Sequence, residues 1–240
     1  IDHAPWGNTL EVVMKARLVT SYCAARRRAS RKVGAVLLVA LLGAGLGAPA
    51  WGESAGDGVY PLMSRWGNVE YTMQGAAQEK AFARLAEDAE ALAEAHPDSA
   101  RVLTAKGVVL ASYAKAKGGL GALDLAKRAR RALERAIELD PRGDDASAYV
   151  TLGALYDRAP GWPVAFGDDD KAETLLRRAV DIRGDGIDTH YFYATYLRDE
   201  GRLDEARRHA RLAVEGKARD GRASDEALRE RARQLLKELS

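Results

Sequence analysis

Few residues in this chain are of the types that carry chemistry. The histidines are His3, His96, His190 and His209, and the only cysteine is Cys23. His190 stands in a polar aromatic stretch with Asp188, Tyr191, Tyr193 and Tyr196. Such a set can hydrogen-bond a ligand, or its members can simply satisfy one another. His96 precedes a proline at a helix stop, and His209 falls on a charged helix face. Asp168, Asp169 and Asp170 are consecutive, and consecutive carboxylates converge poorly on a cation. They also lack the alternating oxygen spacing of a calcium loop. They do suit the first turn of a helix, where acids cap free N–H groups and meet the positive end of the dipole. Ser64, Ser99, Ser112, Ser147 and Ser224 have no nucleophile elbow around them. Gly118-Gly119-Leu120-Gly121 lacks the Lys-Ser/Thr ending of a phosphate loop and reads as a flexible turn. No catalytic constellation, metal-ligand set or cofactor motif emerges, so catalysis, metal and cofactor are all expected to be absent.

The segment Pro160 to Asp170 is the most unusual in composition. Two prolines stiffen it, and Trp162 and Phe166 are costly side chains to leave in water. Two readings follow. The loop presents an aromatic clamp to a partner, or it tucks both rings against neighbouring helices and lengthens the core.

The first fifty residues read as an export leader. Met14 is a plausible start, with residues 1–13 upstream of it. Arg26, Arg27, Arg28, Arg31 and Lys32 are followed by an apolar run from Val33 to about Leu46 and by Ala48-Pro49-Ala50. Basic, apolar and small-residue regions in that order describe a signal peptide. The competing reading is a retained anchor, because the 20 residues between Lys32 and Glu53 carry no charge and are long enough to span a bilayer. Gly34, Gly43, Gly45, Gly47 and Pro49 within it weaken that reading. The Arg pairs also allow twin-arginine export, but Ala29 and Ser30 follow them poorly. An exported, periplasmic chain is expected, with an inner-membrane anchor as the alternative. Cleavage would remove Cys23 and leave no thiol chemistry.

The leader also accounts for the basic balance. The chain has 37 Lys/Arg and 35 Asp/Glu in 240 residues. The first fifty hold 7 and 2, leaving 30 and 33. A nucleic-acid role loses its electrostatic support. The basic clusters at Lys127–Arg131 and Arg202–Arg211 alternate with acids, as on a solvated helix face. Membrane contact is expected only through an uncleaved leader.

The elements that must position these residues follow from one spacing used four times. Leu85, Ala89, Leu92 and Pro97 are separated by four, three and five residues. Ala129, Leu133, Ala136 and Pro141 repeat those steps, as do Ala172, Leu176, Ala179 and Gly184, then Ala206, Ala210, Ala213 and Ala218. Positions i, i+4 and i+7 share one helix face, and the fourth residue ends the helix. Starts 44, 43 and 34 residues apart mark a helical solenoid. After a flexible lead-in over 53–65, a helical domain is expected over 66–240. It opens with a helix from about Trp66 to Ala95 and totals seven or eight helices. No stretch alternates with period two for long, so no sheet is expected.

A second pattern precedes each block. Leu103, Lys106, Gly107 and Leu110 match Tyr149, Leu152, Gly153 and Tyr156, and then His190, Tyr193, Ala194 and Leu197. The paired patterns resemble the tetratricopeptide repeat over roughly Ala77 to Glu215, and Lys106 departs from it where an apolar residue is usual. A small residue at Gly107, Gly153 or Ala194 gives the second helix of each pair room to approach. Tyr149–Tyr156, Pro160–Pro163, Phe166–Asp169 and Gly186–Tyr193 are also similar to exported bacterial tetratricopeptide proteins. His190 stands where those usually have Asn, and Lys217 to Arg222 where they have a Pro-rich turn.

The resemblance implies an all-α solenoid of antiparallel helical hairpins wound as a right-handed superhelix. The last helix, with Leu228, Ala232, Leu235, Leu236 and Leu239, should cap the stack. It implies a scaffold that binds a peptide or protein segment in a concave groove. The alternative is an envelope-transport accessory binding a small solute or a transporter component. The first helix of each pair then lines the groove. The candidate contact residues are Tyr113, Tyr149, Trp162, Phe166, His190 and Tyr191.

Overall fold

The computed structural model describes residues 55–219 and 222–240. The leader reading of residues 14–52, Cys23 and His3 lie outside them. Among the described residues there are nine helices and no strand. They are α1 (Ala55–Thr72), α2 (Gly75–Ala95), α3 (Ala100–Lys117), α4 (Gly119–Leu139), α5 (Ser147–Arg158), α6 (Asp169–Ile182), α7 (Ile187–Asp199), α8 (Leu203–Glu215) and α9 (Ala223–Glu238).

The ends of these helices follow local chemistry. The Ser99 hydroxyl accepts the Val102 N–H at 3.4 Å at the start of α3. The Asp168 carboxylate accepts the Lys171 N–H at 3.0 Å at the start of α6. The capping reading of the Asp168–Asp170 run is thus borne out at Asp168. The turn before α5 is tighter. Gly143, Asp144, Asp145 and Ala146 all have positive φ, from 49° to 71°. The Asp140 carboxylate holds this left-handed turn by accepting N–H bonds from Arg142 and Asp144.

Three expectations are corrected. Residues 53–65 do not form a flexible lead-in from Ala55 onward, because they are the first turns of α1. Val59 and Leu62 are buried there, and that burial outweighs the local cost of Gly56, Gly58 and Pro61. The single helix read from Trp66 to Ala95 is two, broken at Met73-Gln74. Gly118–Gly121 is not a flexible turn throughout. Gly118, at φ 61°, makes the turn, and α4 begins at Gly119, inside the segment read as a turn.

The hairpins α3/α4, α5/α6 and α7/α8 pack as the repeated spacing predicts. Ala129, Leu133 and Ala136 on α4 are fully buried, as are Ala172 and Ala179 on α6 and Ala206, Ala210 and Ala213 on α8. A Cβ at Gly153 would lie 2.8 Å from Leu176 Cγ and 3.4 Å from the Ala172 carbonyl oxygen. A Cβ at Gly107 would overlap Leu133. Each glycine therefore seats a leucine whose burial contributes roughly 1.5–3 kcal/mol.

The odd-numbered helices form the inner layer. α1 touches α3, α3 touches α5, α5 touches α7, and α7 touches α9. The row then closes, because α9 also touches α1. At that closure the half-buried Tyr71 ring lies 5.0 Å from the Arg231 guanidinium. The buried Glu70 carboxylate receives Lys115 Nζ at 2.7 Å and Arg231 at 3.8 Å. Trp66 Nε1 donates to Ser112 Oγ at 2.9 Å, tying α1 to α3. Burial holds the Tyr71 hydroxyl well above the usual phenol range. α9 packs on α8 and α7 with Leu228, Ala232, Leu235 and Leu239 buried, covering the end of the stack as a cap does.

Candidate functional site

The two edges of the stack differ in kind. One edge carries the turns within hairpins, the other the turns between them. The α5–α6 turn, on the first edge, is a pinned loop. The Gly167 N–H donates to Pro160 O at 2.9 Å, and the Val164 and Ala165 N–H groups both donate to Gly161 O at 3.1 Å. Asp168 N–H donates to Tyr156 O at 3.1 Å. Gly167 is required at this pinch, since a Cβ there would collide with the Ala159 carbonyl oxygen.

Phe166 anchors the loop and Trp162 does not. The half-buried Phe166 ring meets Tyr156 edge-on at 5.5 Å, and the Arg130 guanidinium sits 4.7 Å from its centroid. Trp162 is 89% exposed and Val164 55%. The core-lengthening reading holds for Phe166 and fails for Trp162. An exposed indole forfeits on the order of 2 kcal/mol relative to burial. The same edge gathers carboxylates. Burial raises the Asp157 carboxyl to about 6, with Asp199, Asp169 and Glu200 adding to the rise and Arg158 opposing it.

The other predicted contact residues scatter. Tyr149 is buried, and its hydroxyl donates to Pro141 O at 2.9 Å, a packing role. Tyr113 is half-buried on α3 with Lys117 Nζ 5.4 Å from its ring. Tyr191 is half-buried on α7, edge-on to Phe192 at 5.4 Å. The structure brings Trp162 and Phe166 together in one loop. It puts Tyr113 and Tyr191 on two inner helices, and it seals Tyr149 and His190 inside.

His190 is sealed by a partner that the sequence did not suggest. Its Nε2 lies 2.9 Å from Gly184 O, and its Nδ1 lies 2.9 Å from Nδ1 of His209. A carbonyl oxygen can only accept, so His190 carries its proton on Nε2 and accepts at Nδ1 from His209. His209, expected on a charged face, is 8% exposed, with the Tyr193 ring 4.7 Å away. Burial lowers both histidines. For His209, repulsion from His190 and Arg208 adds to it, and the value falls to about 4. The only sequence signal was that His190 and His209 occupy facing helices of one hairpin.

The opposite edge carries an open cleft of about 560 Å³. Arg142, Arg183, Lys217 and Arg219 line it with Ile182, Gly184 and Ala218, and of the four cations Arg142 and Lys217 are exposed. Asp145 and Asp185 also border it. Asp188 bridges Arg183 and Arg219, and Asp225 pairs with Arg219 at 2.6 Å. These pairs lock α7 to the approach of α9. Near these pairs, Arg101 and Arg222 face Asp144. Burial and the neighbouring Arg219 lower the Arg222 guanidinium, which Arg101 lowers further. Among the described residues no group of three or more His, Cys, Asp or Glu could hold a metal ion. No described helix is long and apolar enough to cross a membrane.

No protein-family model and no curated protein matches this sequence. Solved structures do match its shape. A thermophilic tetratricopeptide-repeat protein of Thermus thermophilus is similar over 76% of this chain and 99% of its own, at 18% identity and a TM-score of 0.51. A crystal structure of a MamA protein is similar over 77% of this chain and 91% of its own, at 18% identity and a TM-score of 0.42. The first likeness, together with the glycine-seated hairpins, shows that the chain has the tetratricopeptide-repeat fold that its paired helix patterns resemble.

Proposed function

We propose that this chain is a protein-interaction scaffold that engages its partner through the hairpin-turn edge and performs no chemistry. One observation carries the reading: Trp162 is 89% exposed on a loop fixed by its own backbone bonds and by Phe166. An indole carried on a pinned loop loses little backbone entropy on binding, and tryptophan is enriched among residues that dominate interface energies. The fold adds support, since it builds extended surfaces rather than reaction chambers.

The groove version of the reading carries an added cost. A segment lying along the inner helices would have to displace the contacts of Arg231 with Glu70 and Tyr71. The small-solute alternative calls for an enclosed chamber lined by Tyr and Trp. The cleft described above is open and lined by Arg, Lys and Asp rather than by Tyr and Trp, which favours a protein partner. The leader pattern extends the proposal to an exported scaffold, and mass spectrometry of the mature N-terminus tests that part. A surviving Val33 would rule out cleavage.

The interaction reading is tested by photocrosslinking from benzoylphenylalanine placed at Val164 or at Tyr113. Partner adducts are expected from position 164. Adducts from position 113 alone would assign the contact to the inner helices and overturn the edge reading.

A further inference from the structure

Both ends of the inner row are fixed to their own neighbours. α1 is tied to α2 by Arg65 and Asp88 at 2.8 Å, and to α3 by the Trp66–Ser112 and Lys115–Glu70 contacts. α9 is tied to α7 by Arg198 and Glu238 at 3.6 Å. It is tied to the end of α8 by Arg229 Nη2, which donates to Gly216 O at 2.8 Å. Arg207 on α8 donates to Leu239 O, just past α9. The seam where α9 meets α1 is built differently. Each other pair of neighbours in the inner row is bridged by an outer helix, α2, α4, α6 or α8, that packs on both. Among the described residues no helix packs on both α9 and α1 from outside. The polar contacts described across the seam all come from Arg231, which meets Glu70 and the Tyr71 ring.

We propose that this seam is a gate to the inner face, latched by Arg231 and opened by a small change of curvature along the stack, with α9 staying on α7 and α8 and α1 staying on α2 and α3. The proposal goes beyond the edge reading and does not depend on it. Three observations make the parting cheap. Glu70 keeps Lys115 at 2.7 Å, so no buried carboxylate is left unpaired. Arg231 is already partly exposed and returns to water. Tyr71 keeps the edge-on ring of Trp66 at 6.0 Å. A solenoid is held together by contacts between successive units, so loss of an end-to-end contact leaves the stack intact. The closed row is the resting state and the open row a minor one.

Double electron–electron resonance on the full chain carrying Cys23→Ser tests this. Nitroxides at Thr72→Cys and Gln234→Cys, exposed positions on α1 and α9, report the seam. A reference pair at Arg211→Cys and Gln234→Cys, both exposed, reports α9 against α8. The seam pair should give a major short separation and a minor longer one. Arg231→Gln should raise the longer fraction about two- to fivefold, as expected for loss of one ion pair and one cation–π contact. About 1 M salt, where screening acts within roughly 3 Å, should move the chain with Arg231 intact the same way. The reference pair should keep one separation throughout. Nitration of Tyr71 by tetranitromethane should rise with the longer fraction. A seam separation that is the same with and without Arg231→Gln, at low and at high salt, overturns the gate. A reference pair that lengthens together with the seam pair also overturns it, because α9 would then be leaving the stack. Photocrosslinking from position 164 does not involve the seam, so either failure leaves the edge reading standing.

Discussion

The His190–His209 pair shows how a residue's role depends on its neighbour across a helix pair. With His209 donating from Nδ1, its Nε2 is the ring nitrogen left to take a further proton, and burial beside His190 disfavours the charge that would result. The folded His209 value of about 4 lies below its ordinary value of 6.5. Between those values the unfolded chain binds the extra proton, so stability falls as the pH falls. The linkage loss from pH 7 to pH 5 amounts to about 2 kcal/mol. Urea unfolding at the two pH values measures it, and His209→Gln should flatten the difference. An equal pH dependence in native and variant would show that the pair does not titrate with folding. Asp157 has the opposite sign. Its folded value of about 6 lies above the ordinary 3.8, so its charged form destabilises the fold at neutral pH. Asp157→Asn should raise stability at pH 7 by about 1–3 kcal/mol and have no effect near pH 3. The sequence made the polar character of His190 legible. It hid the partner, because His209 sits among Arg207, Arg208 and Arg211 and reads as solvated until α8 is turned against α7.

At the scale of elements, the spacing of small residues was the most legible feature. Gly153 and Ala172 meet as the paired patterns require, and Leu176 fills the seat between them. Gly153→Ala should cost about 1–3 kcal/mol through overpacking against Leu176 and the Ala172 carbonyl. Thermal denaturation measures the loss, and a neutral change would mean that the helices part freely at this crossing. The helix breaks were less legible where tertiary packing overrode local preference. Gly56, Gly58 and Pro61 argue against a helix, yet burial of Val59 and Leu62 extends α1 through them. Trp66 to Ala95 looked like one amphipathic run because Met73-Gln74 carries no breaker of its own, and Gly75, whose φ of 60° turns the chain there, reads as one more small residue of a helix. The α5–α6 loop was legible as unusual, and its aromatic pair as a choice between packing and display. The structure divides the pair, because the Tyr156–Arg130 niche accommodates one ring and Phe166 occupies it.

At the scale of the molecule, the closed inner row decides which surfaces remain free. α1 and α9 lie at opposite ends of the described chain, so their contact through Glu70, Tyr71 and Arg231 could not be read from any local pattern. It turns attention from the inner face to the edges, where Trp162 and the open cleft lie.

A paired measurement on Trp162→Ala and Phe166→Ala tests the display of Trp162 most directly, with melting temperature and association constant recorded for both. Trp162→Ala should leave the melting temperature unchanged and weaken association about thirtyfold or more, as for a dominant interface tryptophan. Phe166→Ala should lower the melting temperature. A lowered melting temperature in Trp162→Ala with association intact would make the indole a packing residue and contradict the proposed role.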